Sequence, residues 1–405
     1  MCLEHNINEI GRMSFTPDNH DFTSFYSEIR DEVYSPRALF IDTDPVSIDW
    51  LSRSQYTRIY NPNMLISSKE DSGGVFCRTM TDLVTIDLYM EKIRTLVEAC
   101  DNLQGFNLYF AAGGGTGSGI SSMILDSIKS EYQNKNIMSF VIYPSPEVPK
   151  GTLNYYNSTL ATDYLIKHSD SIIVLDNKAL FSICKNELHI EIPSFNQLNR
   201  VASLTINSIT SNFRFPNGHF SSPHDISQLL SQGNKKFLTT SFAPISNTGF
   251  SEVSLEDLSI LALSDRYSNI GCYEGPSKSY ACSITYRGDV DIENAEMAVK
   301  ACFDKKYINF IDESTKLPYG VNSDRPGVYP HGEIVPMSRS ACVINNSQRV
   351  KGFFGNIDHK FCLLFAKRAF VYHYCASGIE EGELCEAIEN LIHLENEYED
   401  KKVNE

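Results

Sequence analysis

The segment Ala111-Ala112-Gly113-Gly114-Gly115-Thr116-Gly117-Ser118-Gly119 lies between an apolar run and a helical pattern. Glycines let successive backbone N–H groups turn toward one point, and the N-terminus of a following helix adds positive dipole, so such a loop favours phosphate oxygens. Thr116 and Ser118 add hydroxyl donors. A bare strand-to-helix connection is the competing reading, but five glycines in seven residues cost conformational entropy to order. The P-loop pattern needs Lys-Ser/Thr after the last glycine, where Ile120 stands. The dinucleotide fingerprint needs glycine at its sixth position, where counting from Gly113 gives Ser118. A dinucleotide-dependent oxidoreductase is kept as an alternative, separated by whether NAD or GTP protects the chain from thermal unfolding.

The elements around this loop alternate. Ala38–Asp42 reads as a strand ending in acids, and Leu83, Ile86, Met90, Ile93, Val97 and Cys100 recur at helical spacing across Asp82–Leu103. Phe106–Ala112, Ile137–Tyr143 and Ser171–Asp176 are apolar strand candidates separated by helical patterns. This repetition implies a parallel sheet with helices on both faces. Beyond Phe215 the texture becomes loop-rich, then gives strand candidates Leu238–Phe242, Tyr280–Tyr286, Tyr307–Ile311 and Ser340–Ile344 interleaved with helices. Ser254-Leu255-Glu256-Asp257 has the form of a helix start. From Val350 to Asp400 two helices are expected, the second acidic beside an apolar stripe of Leu384, Ile388, Leu391 and Leu394.

The chain has 405 residues, 42% hydrophobic and 21% charged, which excludes disorder throughout. Fifty-one acids against thirty-five bases give a net charge of −16, which argues against nucleic acid and anionic membrane and favours basic partners. Eleven cysteines are scattered without metal or redox spacing and read as reduced core thiols. The ten histidines show no metal spacing, His219 and His224 included. No run approaches the length of a membrane span, and Met1–His5 has no secretory character. Trp50 reads as a partly buried packing residue.

Gly-Gly-Gly-Thr-Gly-Ser-Gly resembles the signature of the tubulin and FtsZ superfamily of GTP-binding filament proteins. Arg214-Phe215, Phe242-Ala243-Pro244, Tyr286–Val290 and Ala366–Phe370 are similar to eukaryotic tubulin. Cys2–His5, Asp358–Phe361, Gly378–Glu383 and the loop Tyr329–Ser338 resemble the alpha rather than the beta chain.

The resemblance implies a Rossmann-like α/β GTP-binding domain over residues 1–215, a second α/β domain with a mixed sheet over 216–348, and C-terminal helices with a short acidic tail over 349–405. It implies GTP and Mg²⁺ as cofactors. Gly113, Gly114, Gly115, Thr116, Gly117, Ser118 and Gly119 would wrap the phosphates, with Ala111 where a serine is usual. Asp42 and Asp44 match the acidic loop near the magnesium ion, Asp44 being the metal-side carboxylate; by themselves they are turn acids at a strand end. Asp71 and Ser72 match the next phosphate-side loop, in Glu70-Asp71-Ser72-Gly73-Gly74. Lys150 takes a threonine position and could pair with phosphate, and Asn154 replaces a glutamate that holds the ribose. Asn177 and Asn199 match two asparagines that read guanine, whose edge offers a donor and acceptors, and Phe195 matches the aromatic that stacks on the base.

The function implied is a GTP-binding subunit of microtubules in the cytoplasmic cytoskeleton. It would pair head-to-tail with beta-tubulin and expose its acidic last helix to motors and other basic binders. The tail 401–405 offers little to tail-modifying enzymes. The alternative is a GTP-binding regulator that meets tubulin without entering the lattice. Hydrolysis is expected to be weak: Gln228 stands where an alpha chain supplies a catalytic glutamate to the next subunit, with Asp225 as the competing carboxylate. The resemblance also leads us to expect that a first strand and a glutamine-bearing loop belong before Cys2, inside the parallel sheet.

Overall fold

Ile172, Ile173, Val174 and Leu175 are all buried, yet they alternate between two separate cores. A strand covered on both faces needs this continuous apolar run. It is β7 of a computed structural model that describes residues 1–13, 22–30, 32–68, 71–79, 83–145, 151–215, 220–248, 253–271, 277–312, 314–330 and 332–399. Glu70, Lys150, His219, Cys272 and the tail 401–405 lie outside the described residues. The strands are β1 (Tyr26–Arg30), β2 (Val33–Pro36), β3 (Phe40–Asp42), β4 (Leu65–Ser67), β5 (Gly105–Ala111), β6 (Asn136–Tyr143), β7 (Ser171–Asp176), β8 (Phe237–Ala243), β9 (Ser279–Gly288), β10 (Tyr319–Asn322) and β11 (Arg339–Ser347). The helices begin with α1 (Pro45–Ser52), α2 (Leu83–Glu98), α3 (Gly115–Glu131), α4 (Asn154–His168), α5 (Asn177–Asn186) and α6 (Phe195–Arg214). They continue with α7 (Pro223–Leu230), α8 (Leu255–Leu263), α9 (Ile292–Asp304), α10 (Arg349–Ala366), α11 (Val371–Cys375) and α12 (Glu381–Glu397).

Among the described residues seven strands form one sheet in the order β10-β9-β11-β8-β7-β6-β5. β5 to β8 run parallel, while β11 is antiparallel to both β8 and β9. The expected boundary near Phe215 coincides with the end of α6, and the sheet runs across it through Ile172↔Phe237 and Ile173↔Leu238. One face is covered by α5 to α9 and the other by α2, α3, α4 and α10 to α12. The expected stripe Leu384, Ile388, Leu391 and Leu394 is the buried side of α12.

β3 and β4 form a separate parallel pair. At the sheet's end the Ala112 amide donates to the Ile142 carbonyl at 2.9 Å. By strand alternation the amides of Asn107, Tyr109 and Ala111 then point away from β6. No strand among the described residues pairs with that edge.

Three expectations are corrected. Tyr307–Ile311 is not a strand: it makes one bridge, Ser279↔Phe310, because β10 takes the adjacent edge of β9 and Lys306 adopts a left-handed φ of 53°. Among the described residues the C-terminal region holds three helices, not two, because Phe370 at φ 64° breaks the path between α10 and α11. Trp50 is 71% exposed on α1 and fills no core. The thiols divide: Cys77, Cys184, Cys282, Cys302 and Cys342 are buried, whereas Cys362 and Cys375 are exposed. Ser254 does start a helix, its hydroxyl accepting from the Asp257 amide at 3.1 Å.

A buried ion cluster ties the sheet to the first turn of the chain. Glu4 accepts from Arg214 at 2.6 Å, from Arg287 at 2.9 Å and from the Gly327 amide at 2.9 Å, and all three side chains are buried. Arg214 also donates to Nε2 of His5, whose ring stacks on Phe215. Burial alone would raise the Glu4 pKa, but Arg287 and Arg214 outweigh it and hold it at about 2. Removing the charge strands two guanidinium groups, so Glu4→Gln is expected to cost ~3–5 kcal/mol in urea unfolding. Because the folded pKa lies below the ordinary 4.5, this contribution is complete above pH 4.5 and lost as pH falls from there toward 2. A wild-type stability that stays flat across that window would remove Glu4 from the ion cluster.

Candidate functional site at the strand C-termini

The ends of parallel strands are where an α/β sheet offers a crevice. The glycine loop leaves β5 there, beside Tyr143 and Pro144 after β6 and Asp176 at the end of β7. In α3 the first intrahelical bond runs from the Ser118 amide to the Gly114 carbonyl, 3.0 Å. The amides of Gly115, Thr116 and Gly117 therefore have no intrahelical acceptor, and they add to the positive end of a 17-residue helix. That is an anion site made of backbone.

Two loops close on it. The Thr43 hydroxyl, after β3, meets the Thr116 hydroxyl and donates to Asp71 Oδ1 at 3.4 Å. Ser72 Oγ lies 3.3 Å from Thr116 Oγ1. The fit depends on Gly115, where an added Cβ would lie 2.6 Å from the Val75 nitrogen and 2.8 Å from Ser72 Oγ. Asn154 sits across the loop, its Cγ 3.3 Å from the point where a Cβ on Gly113 would be. Asp42 accepts from the Asp44 amide, and Asp44 caps α1 by accepting from Val46.

Some expected donors have other work. Ser118 is buried, and its hydroxyl donates to the Gly114 carbonyl instead of facing the crevice. Gly119 is required by packing, since a Cβ there would lie 2.4 Å from the Phe76 carbonyl. Ala111 is the exposed last residue of β5, and its carbonyl is 2.4 Å from where a Cβ on Gly117 would stand. Lys150 cannot be placed, lying outside the described residues.

Asn177 opens α5 directly after β7, with Asp176 as N-cap accepting from Lys178. Phe195 and Asn199 lie on the first turns of α6, which packs on α5; Phe195 is 42% exposed. Asn177 therefore lies at the same end of the sheet as the glycine loop, and α6 opens after the loop that follows α5. Asp225 and Gln228 do not lie there. Ser227 of α7 bonds Asn136 at the start of β6, the far end of the strand. Asp225 caps α7 through Ser221 and Ser222; burial would raise its pKa, but those hydrogen bonds hold it below the usual range. Gln228 is exposed.

Asp71 and the hydroxyls of Thr43, Ser72 and Thr116 form a hard-oxygen donor set, with Asp42 and Asp44 flanking Thr43 along the chain. Among the described residues no group of three or more His, Cys, Asp or Glu could hold a metal by itself. The set fits a cation that takes its remaining ligands from phosphate and water, as Mg²⁺ prefers. Sequence reasoning does not single out Thr43, or Asn157, a fully buried asparagine inside α4. No local signal marks Asn157, since Ser158, Thr159, Thr162 and Asp163 on the same helix are buried polar residues too. Gly115→Ala is expected to push the 72–75 segment off α3 and abolish retention of bound nucleotide, read by extraction and chromatography of purified protein. Full retention would show that the two loops need not touch.

Comparisons with known proteins agree with this geometry. The family described as "Tubulin/FtsZ family, GTPase domain" matches residues 1–185, and "Tubulin C-terminal domain" matches residues 234–359. The Tubulin alpha-1 chain of Arabidopsis thaliana and the Tubulin alpha-3 chain of Zea mays are each 36% identical over 410 residues. Each alignment covers 98% of this chain and 91% of the relative. A glycine loop closed by two hydroxyl-bearing loops at the strand ends, with these matches across nearly the whole length, leads to one conclusion: the chain belongs to the tubulin family.

Proposed function

We propose that this chain is an alpha-type partner of beta-tubulin, holding a guanine nucleotide with Mg²⁺ at one end and meeting the next subunit with the other. It is a tubulin-like GTP-binding subunit of the cytoplasmic cytoskeleton. One observation carries the head-to-tail reading: the glycine loop and Gln228 occupy opposite ends of β6, whose eight residues span roughly 26 Å. A residue so placed cannot serve its own site. It can serve a neighbour's, and a heterologous contact of this kind builds an open filament.

Asn177 and Asn199 are the base readers in this reading and Phe195 the stacking ring, with Asn154 on the ribose side and Asp44 on the metal side. Lys150 is assigned to phosphate by resemblance alone. The exposed acids of α12, among them Glu383, Glu386 and Glu389, offer basic motors and other microtubule binders an electrostatic surface.

Asn177→Ala or Asn199→Ala should each leave a polar edge of guanine unpaired and weaken GTP binding by ~1–3 kcal/mol. Equal affinity of the wild-type chain for ATP and GTP would remove the base-reader assignment. Gln228 can orient water but cannot take its proton at neutral pH, so Gln228→Glu should raise GTP turnover in polymers mixed with beta-tubulin. Unchanged turnover would move the role elsewhere on α7. Co-sedimentation tests the whole: a chain always left in the supernatant of polymerised microtubules is a regulator, not a lattice subunit.

A further inference from the structure

Asn157 projects from the first turn of α4 and is 0% exposed. Its carboxamide uses its full hydrogen-bonding capacity of two donors and two acceptor sites. Nδ2 donates to the Gly74 carbonyl at 2.8 Å and the Gly113 carbonyl at 2.9 Å. Oδ1 accepts from the Phe76 amide at 3.2 Å and from the Tyr374 hydroxyl at 2.6 Å. Gly74 and Gly113 belong to the two loops that meet across Gly115, so one side chain sets their separation. Tyr374 belongs to α11, in the C-terminal layer, and is fully buried with its ring 5.2 Å from Tyr156.

The same helix reaches α12 farther along. Asp163 of α4 accepts from Asn390, and Lys167 of α4 pairs with Glu386. No other side chain of this size would do at position 157. A carboxylate would face two carbonyl oxygens, and a leucine would leave the buried Gly113 carbonyl and Phe76 amide without this partner and cut the bonds to Gly74 and Tyr374.

We propose that Asn157 is a positioning residue for the nucleotide loops and that the Tyr374 hydroxyl couples occupancy of that site to the docking of α11 and α12. The inference rests on the guanine-nucleotide reading above. A ligand that needs both loops in register holds Asn157 in place, and through it Tyr374. By linkage, whatever steadies α11 then tightens the nucleotide to the same degree.

The test uses the full chain, Tyr374→Phe, which keeps the ring and loses only the hydroxyl, and Asn157→Asp, which keeps the shape. Hydrogen exchange is followed in segments 72–79, 113–119 and 371–397, without ligand and with GDP or GTP plus Mg²⁺. Without ligand, Tyr374→Phe is expected to exchange about 3- to 10-fold faster in 72–79, the range one lost hydrogen bond supports. It should bind nucleotide weaker by a similar factor. In the wild type nucleotide should slow exchange in 371–397 as well as in the loops; in Tyr374→Phe it should slow the loops alone. Asn157→Asp should loosen both loops, and if it does not fold, Tyr374→Phe decides. Wild-type exchange in 72–79 of Tyr374→Phe, or undiminished protection of 371–397, overturns the proposal. A wild-type chain that binds neither GDP nor GTP overturns the coupling together with the guanine reading, while the ligand-free exchange still decides the positioning role.

Discussion

A parallel sheet covered on both faces leaves only its two ends for chemistry, and that constraint governs the rest of the molecule. Along β6, β7 and β8 nearly every residue is buried, so polar function collects where the strands stop. Because the strands run in one direction, all the helix N-termini of α3, α4 and α5 lie at the same end. Positive dipoles and orphan amides therefore converge on the glycine loop. The opposite end receives α7, whose Gln228 and Leu229 are exposed.

The parts of the fold that followed from this constraint were legible in the sequence. Strands β6 and β7 were visible as apolar runs because they are buried on both faces, and β5 as a half-buried one. The glycine loop was legible because three backbones approach so closely around Gly115, Gly117 and Gly119 that no Cβ fits. The hairpin β1–β2 was not, since its exposed strand Tyr26–Arg30 mixes charge with apolar residues and its pairing is local. Tyr307–Ile311 looked like a strand because aromatic and branched residues suit one, and the competition for the edge of β9 is a tertiary matter. Asn157 was invisible because its importance lies in four partners spread from residue 74 to residue 374, which no local pattern displays.

Two polar clusters inside this protein are closed sets. Glu4 with its two arginines, and Asn157 with its two carbonyls, one amide and one hydroxyl, each satisfy the groups they bury. Such sets bring little net stability compared with apolar packing, but a half-satisfied set is worse than none. They specify where segments distant in sequence must sit. In both sets the members come from the chain's beginning, middle and final third, so the final third is part of the fold's foundation and not an appendage.

Among the described residues no strand pairs with the outer side of β5, and that bears on how this protein behaves in crowded solution. From Phe106 to Ala111 the strand carries no charge, no proline and no bulge, which are the devices that keep sheet borders from recruiting other chains. Its outward amides offer a template to any extended apolar segment, including the same strand of a sister molecule. The net charge of −16 opposes such encounters at long range, but salt screens that repulsion within about a nanometre. Concentrated stocks at high ionic strength should therefore be where β-rich clumping begins, well below the temperature at which the cores themselves open.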